Sequence, residues 1–177
     1  MISKKMEKAI NGQINKEFYS AFFYMSMSAH SESEGLRGVA AWFMAKYQEE
    51  TDHAMKIDRY LHDQGARVEL EAVDKPPNEY AGVLDMFEKT LAHERGVTAS
   101  FNDLVEVALT ERDHATNIFL QWFVTEQIEE EATVNDILGR LRLFGDQGQG
   151  LLMIDNELAA VAKQMSQATA AQSGPAI

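Results

Sequence analysis

Four long stretches of this sequence repeat apolar residues at steps of three and four, and each sets glutamate inside its own stripe. That period belongs to an amphipathic helix and not to a strand. In the first stretch, residues 3–33, the stripe runs through Met6, Ile10, Ile14, Ala21 and Ser28, and Glu17 falls where a leucine belongs. Tyr24 lies seven positions further on, on the same side. The second, 36–64, carries Val39, Phe43, Ile57 and Tyr60, with Glu50 and His53 among them. The third, 81–110, is built on Leu84, Phe87, Leu91, Phe101, Val105 and Ala108, with Glu94 in the track. The fourth runs from a turn at 111–113 to about Leu143 and mixes Phe119, Phe123, Ile137 and Leu141 with Glu126 and Glu130.

The breaks between the stretches order them in space. Ser33-Glu34-Gly35 is a short connection, which favours antiparallel neighbours. Gly65 is a natural stop for the second helix. Residues 66–79 are different, with Pro76-Pro77, several charges and no stripe. A connection of that length can carry the chain along a whole bundle, so that the third helix starts at the opposite end. Gly145-Asp146-Gln147-Gly148 ends the fourth helix, and a short fifth one covers 151–165. The expectation is an all-α fold: an antiparallel four-helix bundle with one long crossover and a short C-terminal fifth helix. Residues 1–165 form one domain in this reading, and 166–177, small and polar, form a frayed tail.

With 177 residues, 45% of them hydrophobic, the chain can bury a sizeable core. Its net charge of −12 argues against nucleic acid and anionic membrane surfaces and suits a protein that attracts cations. It contains no cysteine, which excludes disulfides, thiolate metal sites and cysteine nucleophiles and agrees with a cytoplasmic address. No apolar run is long enough to cross a bilayer, and the first residues lack the apolar core of a signal peptide.

Acids in a core-facing stripe are costly unless something compensates them, and a metal ion is the obvious candidate. Glu50 and His53, three residues apart, project from one face of their helix. With Glu17, Glu94 and Glu130, four carboxylates supply the charge that neutralises two divalent ions, and His53 adds a nitrogen ligand. Di-iron bundles use helical Glu and Glu-x-x-His residues in this way. The donor set suits iron or manganese better than copper, although zinc could take the same ligands. Glu126, Glu129 and Glu130 recur at one-turn spacing and Glu49 adjoins Glu50, which allows a further, weaker metal site.

Other candidates read more plainly. Glu111 and His114 repeat the ExxH spacing at a turn, where capping or solvation is expected. Glu131, His30 and His62 read as solvated, and His93, a quarter-turn from Glu94, as a surface residue. Trp42, Trp122, Met25, Met27 and Met44 read as core or interface packing.

The segments NKEFYSAFFYMSMSAH, YQEETDHAMKI, LAHE and LQWFVTEQIEEE together resemble bacterial non-haem ferritins, and the resemblance extends over residues 1–165. It implies two iron sites sharing Glu50: Glu17, Glu50 and His53 for the first ion, and Glu50, Glu94 and Glu130 for the second. Gln127 would hydrogen-bond nearby, and Tyr24 would be a redox-active or hydrogen-bonding neighbour. Glu49, Glu126, Glu129 and Glu130 match a third, weaker iron site. The implied function is iron storage with ferroxidase activity. Fe(II) would be oxidised by dioxygen or peroxide, and ferric oxyhydroxide deposited inside a hollow homo-oligomeric shell of 24 subunits. A slow, non-catalytic metal-buffering cage of the same fold is the alternative.

Departures from related families narrow this. No haem is expected, because the haem-ligating methionine of bacterioferritins falls at Asp52, and their second Glu-x-x-His needs histidine where Glu130 stands. Rubrerythrin-like proteins need cysteines. The small starvation-type ferritins place their ligands between subunits and lack a fifth helix. Animal ferritins line a three-fold channel with acids, and the matching positions here are Asn117 and Leu120, which leaves iron's route inward to Asp113 or to pores elsewhere.

Overall fold

The computed structural model describes residues 2–172, with side chains to residue 167. Five helices follow one another: α1 (Lys4–Ser33), α2 (Arg37–Asp63), α3 (Val83–Thr110), α4 (His114–Phe144) and α5 (Gly148–Gln172). No strand occurs among the described residues. Four helices were expected within a residue or two of these bounds. The fifth is longer than its apolar stripe suggested, reaching through the segment read as a frayed tail as far as Gln172. Residues 173–177 of that expected tail lie outside the described residues.

Local chemistry accounts for the ends. Ser3 caps α1 by accepting from the Met6 N–H, and Asp113 caps α4 by accepting from the Thr116 N–H. Asp113, rather than Glu111 or His114, therefore does the capping at that turn. Glu111 instead pairs with Lys5 across the end of the bundle, at 3.4 Å. Gly35, at φ +78°, supplies the left-handed residue that lets α1 fold back into α2.

The crossover lies along α1 and is pinned to it rung by rung. Asn11 donates to the Arg67 carbonyl, Asn15 to those of Glu71 and Ala72, and Ser26 to that of Pro77. His30 meets the Tyr80 ring edge-on at 5.3 Å. From Asn11 to His30 the chain climbs roughly 28 Å at helical rise. α3 thus begins beside the start of α2 and runs parallel to it, while α1 and α4 run the opposite way.

α5 docks across the start of α2. Leu36 cannot cap that helix with its side chain, and Asp155 of α5 accepts from the Val39 N–H instead, at 2.9 Å. The approach depends on Gly38, since a Cβ there would stand 1.7 Å from the Asp155 carbonyl oxygen.

Two apolar clusters fill the bundle. One centres on Trp42, Phe43, Phe87, Met86, Val134 and Leu138 and includes the α5 residues Ile154 and Leu158. The other gathers Met6, Ile10, Ile57, Leu61, Phe101 and Phe123 at the opposite end. Burying each such side chain contributes about 1.5–3 kcal/mol. Leu120 belongs to this second cluster and is fully buried, so it cannot line a channel. Its place in the core corrects the expectation that it faces a three-fold pore. Asn117 is only partly buried and accepts from Gln121. Of the residues read as packing, Trp42 and Met27 are core, whereas Met25, Met44 and Trp122 are exposed on this single chain.

Candidate metal centre

Between the two apolar clusters the bundle has a polar waist. Glu17, Glu50, His53, Glu94, Gln127 and Glu130 are all buried there, one or two from each helix of the bundle. Each sits where its apolar stripe carries it inward, so helical periodicity is what brings them together.

On one side, Glu17, Glu50 and His53 present ligand atoms within 4.8 Å of one another. His53 Nδ1 is 3.6 Å from Glu50 Oε2 and 3.8 Å from Glu17 Oε2. Glu17 Oε1 accepts from Gln13 at 2.6 Å, but Glu17 Oε2 is buried with no hydrogen-bond partner. Among the described residues, the indole nitrogen of Trp42 is the other such atom. A native structure rarely leaves a buried carboxylate oxygen unsatisfied without a reason, and a role in binding a cation is a sufficient one.

Burial, reinforced by the charge of Glu50, pushes Glu17 well above the usual carboxylate range. Burial opposes the charge of Glu50 as well, but the hydrogen bond and charge of His53, with Lys46 behind them, outweigh it and lower its pKa. Burial works against a charged His53 too; Glu50 and Glu17 overcome it and raise the imidazole to about 9. Without a metal the imidazolium is their counter-ion.

The other side is built differently. Glu94 accepts from the Tyr24 hydroxyl through Oε1 and from Gln127 Nε2 through Oε2, at 3.0 Å for the latter. Glu130 Oε1 accepts from the Nζ of Lys46, and the same ammonium reaches Glu49 Oε2 at 2.6 Å. Burial raises Glu94 and Glu130 above their ordinary values, and Lys46 opposes this in both. Burial would discharge Lys46, but Glu130, Glu49, Glu50 and Glu94 together hold it protonated.

Beside the waist, Glu49, His53 and Glu126 form a second cluster of possible ligands, partly open to solvent. Glu129 is exposed and joins neither cluster, and Glu130 is turned towards Lys46. The expected grouping of Glu49, Glu126, Glu129 and Glu130 is therefore not assembled here; Glu49 and Glu126 group with His53 instead. Glu131 is partly buried and accepts from Thr98 at 2.7 Å, with Arg95 at 3.6 Å. His93 is partly buried rather than simply a surface residue. It packs against Phe23 and Tyr24 and shares a hydrogen bond with Ser20, and burial lowers its pKa.

Two residues of the waist went unnoticed in the sequence, Lys46 and Gln13. Lys46 continues the buried sequence Val39, Phe43, Lys46, Glu50, His53, Ile57 at alternating steps of four and three. Gln13 stands four before Glu17 and is locked by a chain in which Lys16 donates to Ser100 and Ser100 to Gln13 Oε1. The spacing signal was present for both. A polar residue in a stripe draws notice only when its charge suggests a ligand.

Comparison with known proteins agrees with this arrangement. Residues 7–144 match the family described as Ferritin-like domain. A bacterial non-heme ferritin of Campylobacter jejuni is 43% identical over 162 residues, covering 92% of this chain and 97% of that one. One from Staphylococcus aureus is 37% identical over 160 residues, covering 90% and 96%. Among solved structures, an open pore ferritin from the archaeon Archaeoglobus fulgidus superposes with a TM-score of 0.88 at 46% identity, covering 90% of this chain and 98% of that one. With a family match over residues 7–144 and relatives 37–43% identical over about nine-tenths of its length, the chain belongs to the ferritin family.

Proposed function

We propose that this protein stores iron and is a ferroxidase, binding two Fe(II) ions per chain at the waist and oxidising them. The observation that carries this reading is the convergence of Glu17, Glu50 and His53, three buried groups whose ligand atoms lie within 4.8 Å of one another. Fe(II) is here a substrate. Glu17, Glu50 and His53 hold the first ion; Glu94 and Glu130 complete a second position, with Glu50 shared. Tyr24 and Gln127 orient Glu94 through its two oxygens.

With dioxygen as oxidant, two Fe(II) ions each give up one electron, and dioxygen with two protons becomes hydrogen peroxide. Peroxide can in turn oxidise two further Fe(II) ions. The chain's own part is to neutralise charge and to fix the two ions close together. Glu49 and Glu126, with His53, lie on the partly open side and suit a weaker, transient iron position. The product is deposited as ferric oxyhydroxide inside a homo-oligomeric cage of 24 subunits in the cytoplasm. Among the described residues no helix is long and apolar enough to cross a membrane.

One observation favours the slower alternative, a metal-buffering cage: both Glu94 oxygens and Oε1 of Glu130 are already engaged by Tyr24, Gln127 and Lys46. Stopped-flow absorbance on adding Fe(II) to the metal-free protein in air, with oxygen consumption and particle mass, decides between them. Fast oxidation saturating at two to three irons per chain supports the ferroxidase. Slow oxidation that never saturates supports the buffer.

A further inference from the structure

We propose that Lys46 is a built-in cation of the second metal position, and that its ammonium must be displaced before a second ion binds, so that the centre fills in a fixed order. This rests on the waist being the iron-oxidation site. Lysine is almost never fully buried unless paired. The Lys46 side chain is 3% exposed, and its Nζ lies between Glu130 and Glu49 in the middle of the bundle. The ammonium bonds Oε1 of Glu130, so a divalent ion held by that carboxylate would sit beside a full positive charge. At that separation, in a poorly polarisable interior, the two cations repel strongly. Both cannot stay.

On the Glu17 side no side chain has to leave, because the group facing the two carboxylates there, His53, is itself one of the ligands. Glu17 Oε2 lacks a hydrogen-bond partner, and Glu50 and His53 converge on it. The first ion therefore goes there. The second ion must expel Lys46, and the geometry offers an exit. Glu49, one turn further along α2, keeps hold of the ammonium and is itself 28% exposed, so the pair can swing outward towards Glu126 without the lysine losing its charge. Lys46 is thus a positioning residue that sets loading order and the affinity of the second position.

Zn(II), which is redox-silent, serves as the probe, titrated by calorimetry into the assembled metal-free protein. The wild type is expected to take up two ions per chain in two resolved steps, the second weaker. In Lys46→Gln and Lys46→Met the second step should tighten by at least about tenfold while the first stays within about threefold. Gln offers an amide oxygen and Met does not, so agreement between the two variants assigns the effect to the lost charge and not to a new ligand.

A second measurement needs no variant. Acetic anhydride should leave Lys46 unmodified in metal-free and one-zinc wild-type protein and modify it after two zinc ions, as read by peptide mass spectrometry. An unchanged or weaker second step in both variants, or a Lys46 still protected at two zinc ions, overturns the proposal. If Glu50→Ala takes up Zn(II) just as the wild type does, it is the reading of the waist as a metal centre that fails, and the loading order falls with it.

Discussion

The two sides of the polar waist contain the same kind of residue and are finished in opposite ways. Around Glu17, Glu50 and His53 the donor atoms converge and one oxygen is left without a hydrogen bond. Around Glu94 and Glu130 the protein supplies its own donors: Tyr24, Gln127 and the ammonium of Lys46. A buried carboxylate must be neutralised or satisfied somehow. The first side does it with His53, which is itself a potential metal ligand, and the second with hydrogen-bond donors that are not. Stability and binding are therefore expected to respond differently to the same substitution on the two sides.

The largest effect should come from the ligand both sides share. Glu50→Ala should slow iron oxidation at least about a thousandfold, roughly 4 kcal/mol of barrier, measured as the initial rate in stopped flow. An unchanged rate would falsify the two-sided centre altogether. Next is Glu130→Met, which strands a buried ammonium with Glu49 as its one close partner; the metal-free protein should lose about 3 kcal/mol, read from chemical denaturation.

The pH dependence comes third. His53 carries a pKa raised from 6.5 to about 9 in the folded protein. The stability this supplies is complete below pH 6.5 and is lost as pH rises through 9, about 3 kcal/mol in all. Glu17, Glu94 and Glu130, raised by burial, act in the same direction from pH 4.5 upwards, and Glu50, lowered, acts against them. The melting temperature of the metal-free protein should fall between pH 6.5 and 9.5, and a flat profile would contradict the imidazolium assignment.

The smallest effect sharpens the comparison most. Glu17→Met removes the unsatisfied oxygen and should stabilise the metal-free protein by about 1 kcal/mol, opposite in sign to Glu130→Met. If both substitutions destabilise equally, the two sides are not finished differently.

Much of this was legible in the residues. Glu17, Glu50, His53, Glu94 and Glu130 announce themselves because an acid in an apolar stripe is conspicuous, and all five lie buried in the waist. The crossover was legible too, since Pro76-Pro77 and a missing stripe rule out a helix there. His93 was misread as a surface residue because a quarter-turn offset from Glu94 points it away from the centre, and nothing local reveals that Phe23 and Tyr24 wait on the neighbouring helix. Leu120 was misplaced for the opposite reason: it was assigned by position in other proteins, while its own apolar character placed it in the core. Glu129 kept the one-turn spacing from Glu126 yet is exposed, because it lies about 100° around the helix from Glu130, which points inward.

By itself, the sequence determined the helices, the one long connection and which acids of the waist face inward, because periodicity and turn chemistry act within a few residues along the chain. The tertiary structure alone decided how those acids are satisfied. Whether a buried carboxylate meets a tyrosine hydroxyl, a lysine ammonium or nothing at all depends on residues 70 or 84 positions away, as with Tyr24 to Glu94 and Lys46 to Glu130. Only the packing of whole helices brings such partners within hydrogen-bonding distance.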